Sequence, residues 1–305
     1  MYKRRRILLI GLAVLSAVSL LFPAEWISFV KLVFFPLLSH ISSLSSLPVF
    51  AVLPVIPIFL NRRQAIPSYF IMIYAFIILW LPFHVLTPSP ALPLEKEALI
   101  SLYTQIASSL PETPPASPRT EDIPSLSFSA VKRCFPSRNI GAEPKLAKFG
   151  KLYKMLNIAG IFIPLTGEAV ISSEEPLFLM PFTACHELAH RLGYANEGMA
   201  NYLAFSVLIN SENDFLRYSG AITALRYAIL SLGRESPKEA IAFAKALPEY
   251  AQHDLIYSGA FIKENQDTRA FPRFAGDYAD ILPLIVSNMN LFRLPPSDPT
   301  ALSCQ

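Results

Sequence analysis

The sequence is poor in charged residues for its length. Only 16% of its 305 residues are Asp, Glu, Lys or Arg, whereas 52% are hydrophobic and the mean hydropathy is +0.40. A soluble domain usually carries about 25% charged residues, so this composition argues against an ordinary cytosolic enzyme. Histidine and cysteine are also scarce, with five and three residues respectively.

The charge is unevenly distributed along the chain. The first 94 residues contain seven of the 26 bases and one of the 23 acids, which leaves a net charge of +6 there and −3 in the remainder. The basic pI of about 8.7 therefore reflects bases beside apolar segments. It gives no support to nucleic-acid binding.

Three uncharged apolar segments predict membrane spans, because a span needs roughly 17–25 mostly apolar residues. They lie at about residues 7–22, 44–60 and 68–86. Positive loops tend to stay in the cytoplasm, so three crossings would deliver the rest of the chain outside. We expect a multi-pass protein of the cell (inner) membrane, with the lipid bilayer as a partner. A cleaved signal peptide is the alternative for the first segment, but no A-x-A-like site follows it.

The remaining chain divides into a short connection and a domain. Residues 1–90 form the predicted anchor, residues 91–124 a helix and a Pro/Ser-rich linker, and residues 125–305 an extracytoplasmic domain. Cys134 and Cys304 both fall on the expected outer side. They could pair if that compartment is oxidising, and the sequence leaves this open.

Residues 181–205, PFTACHELAHRLGYANEGMANYLAF, carry the chemistry. His186, Glu187 and His190 form the pattern H-E-x-x-H. Helical residues four apart share a face, so both imidazoles can reach one ion while Glu187 deprotonates an activated water. Zinc suits two imidazoles, a carboxylate and an open position, and cobalt or manganese would suit them less typically. The alternative is an exposed amphipathic helix with two surface histidines.

A third ligand is expected after Gly193, which permits a left-handed turn back towards the metal. Glu197 follows this turn directly. Glu212 lies further on, at a distance more like that of the second ligand helix of thermolysin-type enzymes. We favour Glu197, although either residue could instead be a carboxylate stabilised by a helix N-terminus.

A family resemblance rests on several segments: residues 160–169 (GIFIPLTGEA), PFTACHELAH, Gly193 with Tyr194, residues 200–204 (ANYLA) and residues 217–220 (RYSG). The chain resembles a bacterial family of unknown function, domain of unknown function 3810. The resemblance implies three N-terminal spans and an H-E-x-x-H domain of zinc-peptidase type. It also implies a gluzincin-like site, in which a glutamate supplies the third ligand.

One position departs from the family pattern E-x-E-A-N. This chain keeps the first acid as Glu197 and has Met199 in place of the second. If the second acid were the family's ligand, this protein would have to use Glu197 or bind metal weakly. A catalytically degenerate scaffold or sensor therefore stays open as a second hypothesis, although the intact Glu187 argues against it.

Further polar residues are candidates for supporting roles. Glu168 lies near a turn expected at Gly167 between two β-prone segments, where an edge strand could hold the substrate backbone. It could contact the substrate or a metal ligand, or it could be a solvated turn acid. Tyr218 could donate a hydrogen bond to the oxyanion, as could Tyr257 and His253, and Arg217 could pair with a carboxylate near the site.

Taken together, the sequence predicts a mainly α (α+β) protein in which N-terminal transmembrane helices precede a zincin-like, gluzincin-type helical domain with a small β element. The expected function is zinc-dependent hydrolysis of a peptide or protein substrate. His186, His190 and Glu197 are the expected ligands and Glu187 the general base. Intramembrane cleavage is disfavoured because residues 169–205 carry too many charges for hydrocarbon. The oligomeric state is not indicated.

Overall fold

The computed structural model describes residues 94–147, 150–155, 158–163, 166–194, 196–267 and 281–288. The three expected membrane spans lie outside these ranges, as does Cys304. Within these ranges, no helix combines the length and the apolar character that a membrane crossing requires. Cys134 is disulfide-bonded and Cys185 is a buried free thiol, while the pairing of Cys134 with Cys304 stays a prediction.

The described part of the chain is mainly helical and contains a small three-stranded sheet, as expected. Its elements in chain order are α1 (Lys96–Ser108), a 3-10 turn (Thr120–Asp122), α2 (Ile123–Cys134), β1 (Lys145–Ala147), α3 (Gly150–Met155), β2 (Gly160–Ile163), β3 (Glu168–Ser172), α4 (Met180–Arg191), α5 (Glu197–Ile209), α6 (Asp214–Glu235), α7 (Pro237–Ala246), α8 (Glu249–Asp267) and α9 (Ile281–Ser287).

Helix α1 confirms the helix expected before the Pro/Ser-rich segment, and it contributes to the main core. Leu102 and Ile106 are each 1% exposed and pack in the same cluster as the buried residues of α4, α5 and α6. Fully burying such a side chain stabilises the fold by roughly 1.5–3 kcal/mol. The expectation of an extended linker up to residue 124 is wrong at its end, because the 3-10 turn and the start of α2 occupy residues 120–124.

Helix α4 lies at the centre of the described fold. All twelve of its residues are buried, and it contacts α2, α5, α6 and the sheet. Pro181 is in its first turn, where a missing backbone N–H costs nothing. The helix ends where Gly193 adopts a φ of 93°, which confirms the expected left-handed turn. The Tyr194 N–H then bonds the Ala189 carbonyl at 3.0 Å, so the chain reverses tightly towards α5.

The sheet has the strand order β1-β3-β2. Strand β1 pairs with β3 in parallel, and β2 pairs with β3 antiparallel with Phe162 opposite Ala169. Gly167, with a φ of 66°, lies in the turn between β2 and β3, which confirms the β element and its turn. Strand β3 is buried throughout. Because β3 lies between β1 and β2, strand β2 is an edge strand of this sheet. It also contacts α4.

Candidate metal centre

The two imidazoles of α4 and the first carboxylate of α5 meet at one point. His186 Nε2 lies 2.9 Å from His190 Nε2 and 3.1 Å from Glu197 Oε2, and Glu197 Oε1 lies 3.6 Å from His190 Nε2. One ligand atom from each residue lies within 4.8 Å of the others. Two imidazoles one helical turn apart and a carboxylate from beyond the glycine turn could therefore hold one metal ion.

Hydrogen bonds on the far side of each ring orient the imidazoles. His186 Nδ1 lies 2.7 Å from Asn201 Oδ1, and His190 Nδ1 lies 2.7 Å from the Tyr194 carbonyl oxygen. Both oxygens are acceptors, so both Nδ1 atoms donate. In the neutral tautomers the two Nε2 lone pairs then face each other and the Glu197 carboxylate. Such a cluster of acceptors repels itself unless a cation lies among them, so the donor set fits a metal ion.

Glu197 is held at the start of α5 by local helix chemistry. Asn196 caps the helix, since its Oδ1 accepts the Met199 N–H at 2.9 Å. Glu197 and Asn201 are four residues apart and share the face that meets α4, whereas Met199 is two residues away and points in another direction. The absence of an acid at position 199 therefore removes no ligand atom from this cluster.

The charge of the cluster acts on Glu197. Burial by itself would raise the pKa of this carboxyl group. When the imidazoles are protonated, however, hydrogen bonds and charge from His186 and His190 hold the pKa well below its usual range. The Glu197 side chain is 34% exposed, while those of His186 and His190 are 10% and 6% exposed. The cluster is consequently open to solvent on the Glu197 side and closed on the helix α4 side.

Glu187 lies between α4 and strand β2. It is 6% exposed, and its carboxylate accepts a hydrogen bond from the Phe162 backbone N–H. Burial raises the pKa of Glu187 to about 8; the His190 charge opposes this rise and the charges of Glu197 and Glu175 add to it. The carboxyl group is thus fixed beside the histidine pair rather than free in solvent.

Glu168 is part of a buried ion pair instead. Its Oε1 lies 2.7 Å from Lys145 Nζ, and Thr166 Oγ1 donates to its Oε2 at 2.9 Å. Because the residue is only 1% exposed, the alternative of a solvated turn acid is wrong. The pair links β1 to the start of β3.

The other candidates lie in contacts of their own. Glu212 forms an exposed ion pair with Arg133 at 2.7 Å and is not part of the cluster that could hold a metal ion. Arg217 pairs with Asp214 of its own helix and bonds the Ser211 carbonyl. The three candidate oxyanion donors make contacts at α8. Tyr218 donates a hydrogen bond to Asp254 at 2.6 Å, and the rings of His253 and Tyr257 stack with centroids 6.5 Å apart.

Several residues near the site had no role in the sequence interpretation. Asn201 orients His186, and its spacing of four from Glu197 was a signal that could have revealed it. Thr183, one turn before Glu187, donates to Glu175 at 2.9 Å. Tyr153 on α3 is influenced by the site, since burial raises its pKa to about 12 and the charges of Glu168 and Glu187 add to this. No sequence signal marked Tyr153.

Fold and geometry together define a mainly helical domain with a candidate H-E-x-x-H metal centre. The chain belongs to the family described as "Protein of unknown function (DUF3810)", whose model matches residues 68–278. No curated protein and no solved structure matches the chain. The family description names no activity, so the function has to be argued from the site.

Proposed function

We propose that this chain is a zinc-dependent metallopeptidase of the zincin, gluzincin-like type. The observation that carries the proposal is the convergence of His186 Nε2, His190 Nε2 and a Glu197 oxygen within 4.8 Å, with the buried Glu187 next to His186 in the same helix. Zinc is favoured because two imidazoles and one carboxylate leave a fourth tetrahedral position open.

Each residue would have a distinct part in peptide hydrolysis. Zinc, when bound by His186, His190 and Glu197, would polarise the scissile carbonyl and lower the pKa of the attacking water to about 7. Glu187 takes a proton from that water while the water oxygen bonds to the carbonyl carbon. Glu187 then returns the proton to the amide nitrogen as the C–N bond breaks.

The outer edge of β2 is the proposed binding surface for the substrate backbone. An extended peptide can add to a strand edge through main-chain hydrogen bonds. On this edge, which lies beside α4, the Phe162 N–H already donates to Glu187, so the peptide would pair with the other outward-facing backbone groups. The proposal also includes anchoring in the cell membrane by segments at about residues 7–22, 44–60 and 68–86, with the metal centre on the outer side. Support for the anchor comes from the uncharged apolar segments and the flanking bases alone.

Metal content is the first test. We expect purified intact protein to contain one zinc per chain, and His186→Ala, His190→Ala and Glu197→Ala to lose it. Glu212→Ala is the matched control, because Glu212 is the rejected third ligand and pairs with Arg133 on the surface. Loss of zinc in Glu212→Ala with retention in Glu197→Ala would contradict the ligand assignment.

Hydrolysis of casein or of a peptide library is the second test. Glu187→Gln should keep the zinc and lose about 10²–10⁴-fold in rate, because only proton transfer is removed. Zinc without any turnover in the unaltered protein would refute the peptidase and support a non-catalytic scaffold or sensor. Full activity in Glu187→Gln would refute the role of Glu187.

A further inference from the structure

Strand β2 approaches the side chain of Glu187 unusually closely at Gly160. A Cβ added at Gly160 would lie 2.8 Å from both Cγ and Oε1 of Glu187 and 2.6 Å from the Thr183 methyl carbon. Real Cβ atoms essentially never show contacts under 3.0 Å. No side chain larger than hydrogen therefore fits at this position without displacing the side chains of Glu187 and Thr183.

The need for glycine at this position is steric. The φ of Gly160 lies outside the left-handed region, unlike those of Gly141, Gly167 and Gly193. Alanine could adopt the same backbone conformation at a small cost. A glycine within a strand often marks a point where another group comes close to the backbone, and here the neighbouring group is the side chain of Glu187.

The edge geometry of β2 explains what the close approach achieves. The Ser172 N–H bonds the Ala159 carbonyl at 2.7 Å, so Ala159 and, by antiparallel alternation, Ile161 and Ile163 direct their backbone groups towards β3. Gly160 and Phe162 then direct theirs away from β3. The Phe162 N–H on this outer edge is the group that donates to the Glu187 carboxylate.

We propose that Gly160 is a positioning residue: by lacking a side chain it lets the outer edge of β2 contact Glu187, and the Phe162 N–H then fixes the carboxylate beside the histidine pair. The assignment rests on the proposed function of Glu187 as the base. Gly160 itself has no group that could bind the metal or transfer a proton. It determines the position of Glu187 through backbone contact.

A double-mutant cycle on unfolding tests the contact without any need for activity. Gly160→Ala should destabilise the intact protein by raising its unfolding constant. In a Glu187→Ala background, the factor by which Gly160→Ala raises the unfolding constant should be at least tenfold smaller, which is a difference of about 1.4 kcal/mol. Gly220→Ala is the matched control, because its Cβ would meet Leu208 Cβ at 2.9 Å, away from Glu187. Its effect should be equal in both backgrounds. An additive Gly160 cycle overturns the proposal.

The Thr183 contact needs its own variant, since Gly160→Ala could fail to fold. Thr183→Ser lacks the methyl carbon that the new Cβ would meet and keeps the hydroxyl that bonds Glu175. In this background the two remaining atoms closer than 3.0 Å to the new Cβ both belong to Glu187. If the Thr183→Ser, Gly160→Ala protein folds only when Glu187→Ala is added, the contact is supported. If it fails to fold both with and without Glu187→Ala, the proposal is overturned.

Kinetics test the consequence for the reaction. Gly160→Ala should keep one zinc per chain and lose about 10–10²-fold in kcat, because a displacement of about 1 Å can cost that much, while KM changes less than about threefold. Unchanged kcat in a folded, zinc-loaded Gly160→Ala protein overturns the positioning role. Absence of peptidase activity in the unaltered protein defeats the proposed function instead, and the unfolding cycle still decides whether Gly160 fixes Glu187.

Discussion

The buried carboxyl group of Glu175 should make this protein less stable as the pH rises. Glu175 precedes α4, and its Oε1 accepts a hydrogen bond from Thr183 Oγ1. Its Oε2 is closed to solvent and has no hydrogen-bond partner within the described residues. Burial raises the pKa of this carboxyl group to about 7, although the Thr183 bond and the charge of Arg226 oppose the rise.

The direction in which stability changes with pH depends on the pKa of Glu175 in the folded and unfolded states. The ordinary pKa of 4.5 applies to the unfolded chain and the raised value of about 7 to the folded one. The folded state therefore binds more protons between these values, and stability present below pH 4.5 is lost as the pH rises through 7. The shift corresponds to about 3 kcal/mol, of which roughly 2–3 kcal/mol falls between pH 5 and pH 8.

Glu175→Gln should remove this dependence, because the amide keeps the shape and an acceptor for Thr183 but does not ionise. We expect the difference in unfolding free energy between Glu175→Gln and the unaltered protein, measured by urea unfolding, to rise in favour of the variant by roughly 2–3 kcal/mol from pH 5 to pH 8. The difference in Tm should rise by about 5–10 °C over the same range. Glu174→Gln is the control, since Glu174 is the exposed neighbour, and its difference should be flat with pH. A flat difference for Glu175→Gln would refute the argument that burial keeps this group neutral.

Two further substitutions test the groups that orient the histidines. Asn201→Ala should weaken zinc affinity about 10–100-fold, measured by chelator competition, because His186 loses the acceptor of its Nδ1–H. The control Asn210→Ala, near the end of the same helix, should leave the zinc affinity unchanged. Equal zinc affinities of the two variants would contradict the orientation argument. Gly193→Ala should destabilise the fold by roughly 1–2 kcal/mol because its φ of 93° is costly for an L side chain, whereas Gly233→Ala, whose Cβ meets only Ala240 at 3.7 Å, should not destabilise it. Similar unfolding midpoints for both glycine variants would show that the turn tolerates a side chain.

Local signals in the sequence predicted the elements around the site and missed those that depend on distant contacts. Helical spacing and Gly193 predicted α4, its end and the start of α5. Strand β1 has only three residues and exists through parallel pairing with β3, a non-local contact with no local signature. The linker predicted up to residue 124 from its Pro/Ser-rich composition overlaps the start of helix α2. Pro124 lies in the first turn of that helix, where proline is tolerated.

The candidate ligands were predictable for the same reason, and their hydrogen-bond partners were not. The spacing of His186 and His190 and the position of Glu197 after a glycine turn are readable from residue types. The partner of His190 is the backbone carbonyl of Tyr194, and that of Glu187 is the backbone N–H of Phe162. Backbone groups are present at every position, so no residue type identifies the ones that serve a site.

Complete burial of α4 makes these backbone groups decisive. A buried polar side chain must find a partner or it destabilises the fold, and α4 buries four polar or charged side chains in sequence positions 186–191. Arg191 follows this rule only in part. It is 2% exposed, and its Nη1 donates to the carbonyls of Ile140 and Ala142, but its Nε has no hydrogen-bond partner within the described residues. Burial lowers the pKa of Arg191 to about 9. The geometry of the chemical groups is thus determined by turns and strand edges around the helix. Substitutions at Gly160 and Gly193, which have no chemistry of their own, should therefore disturb the site through the backbone groups that they position.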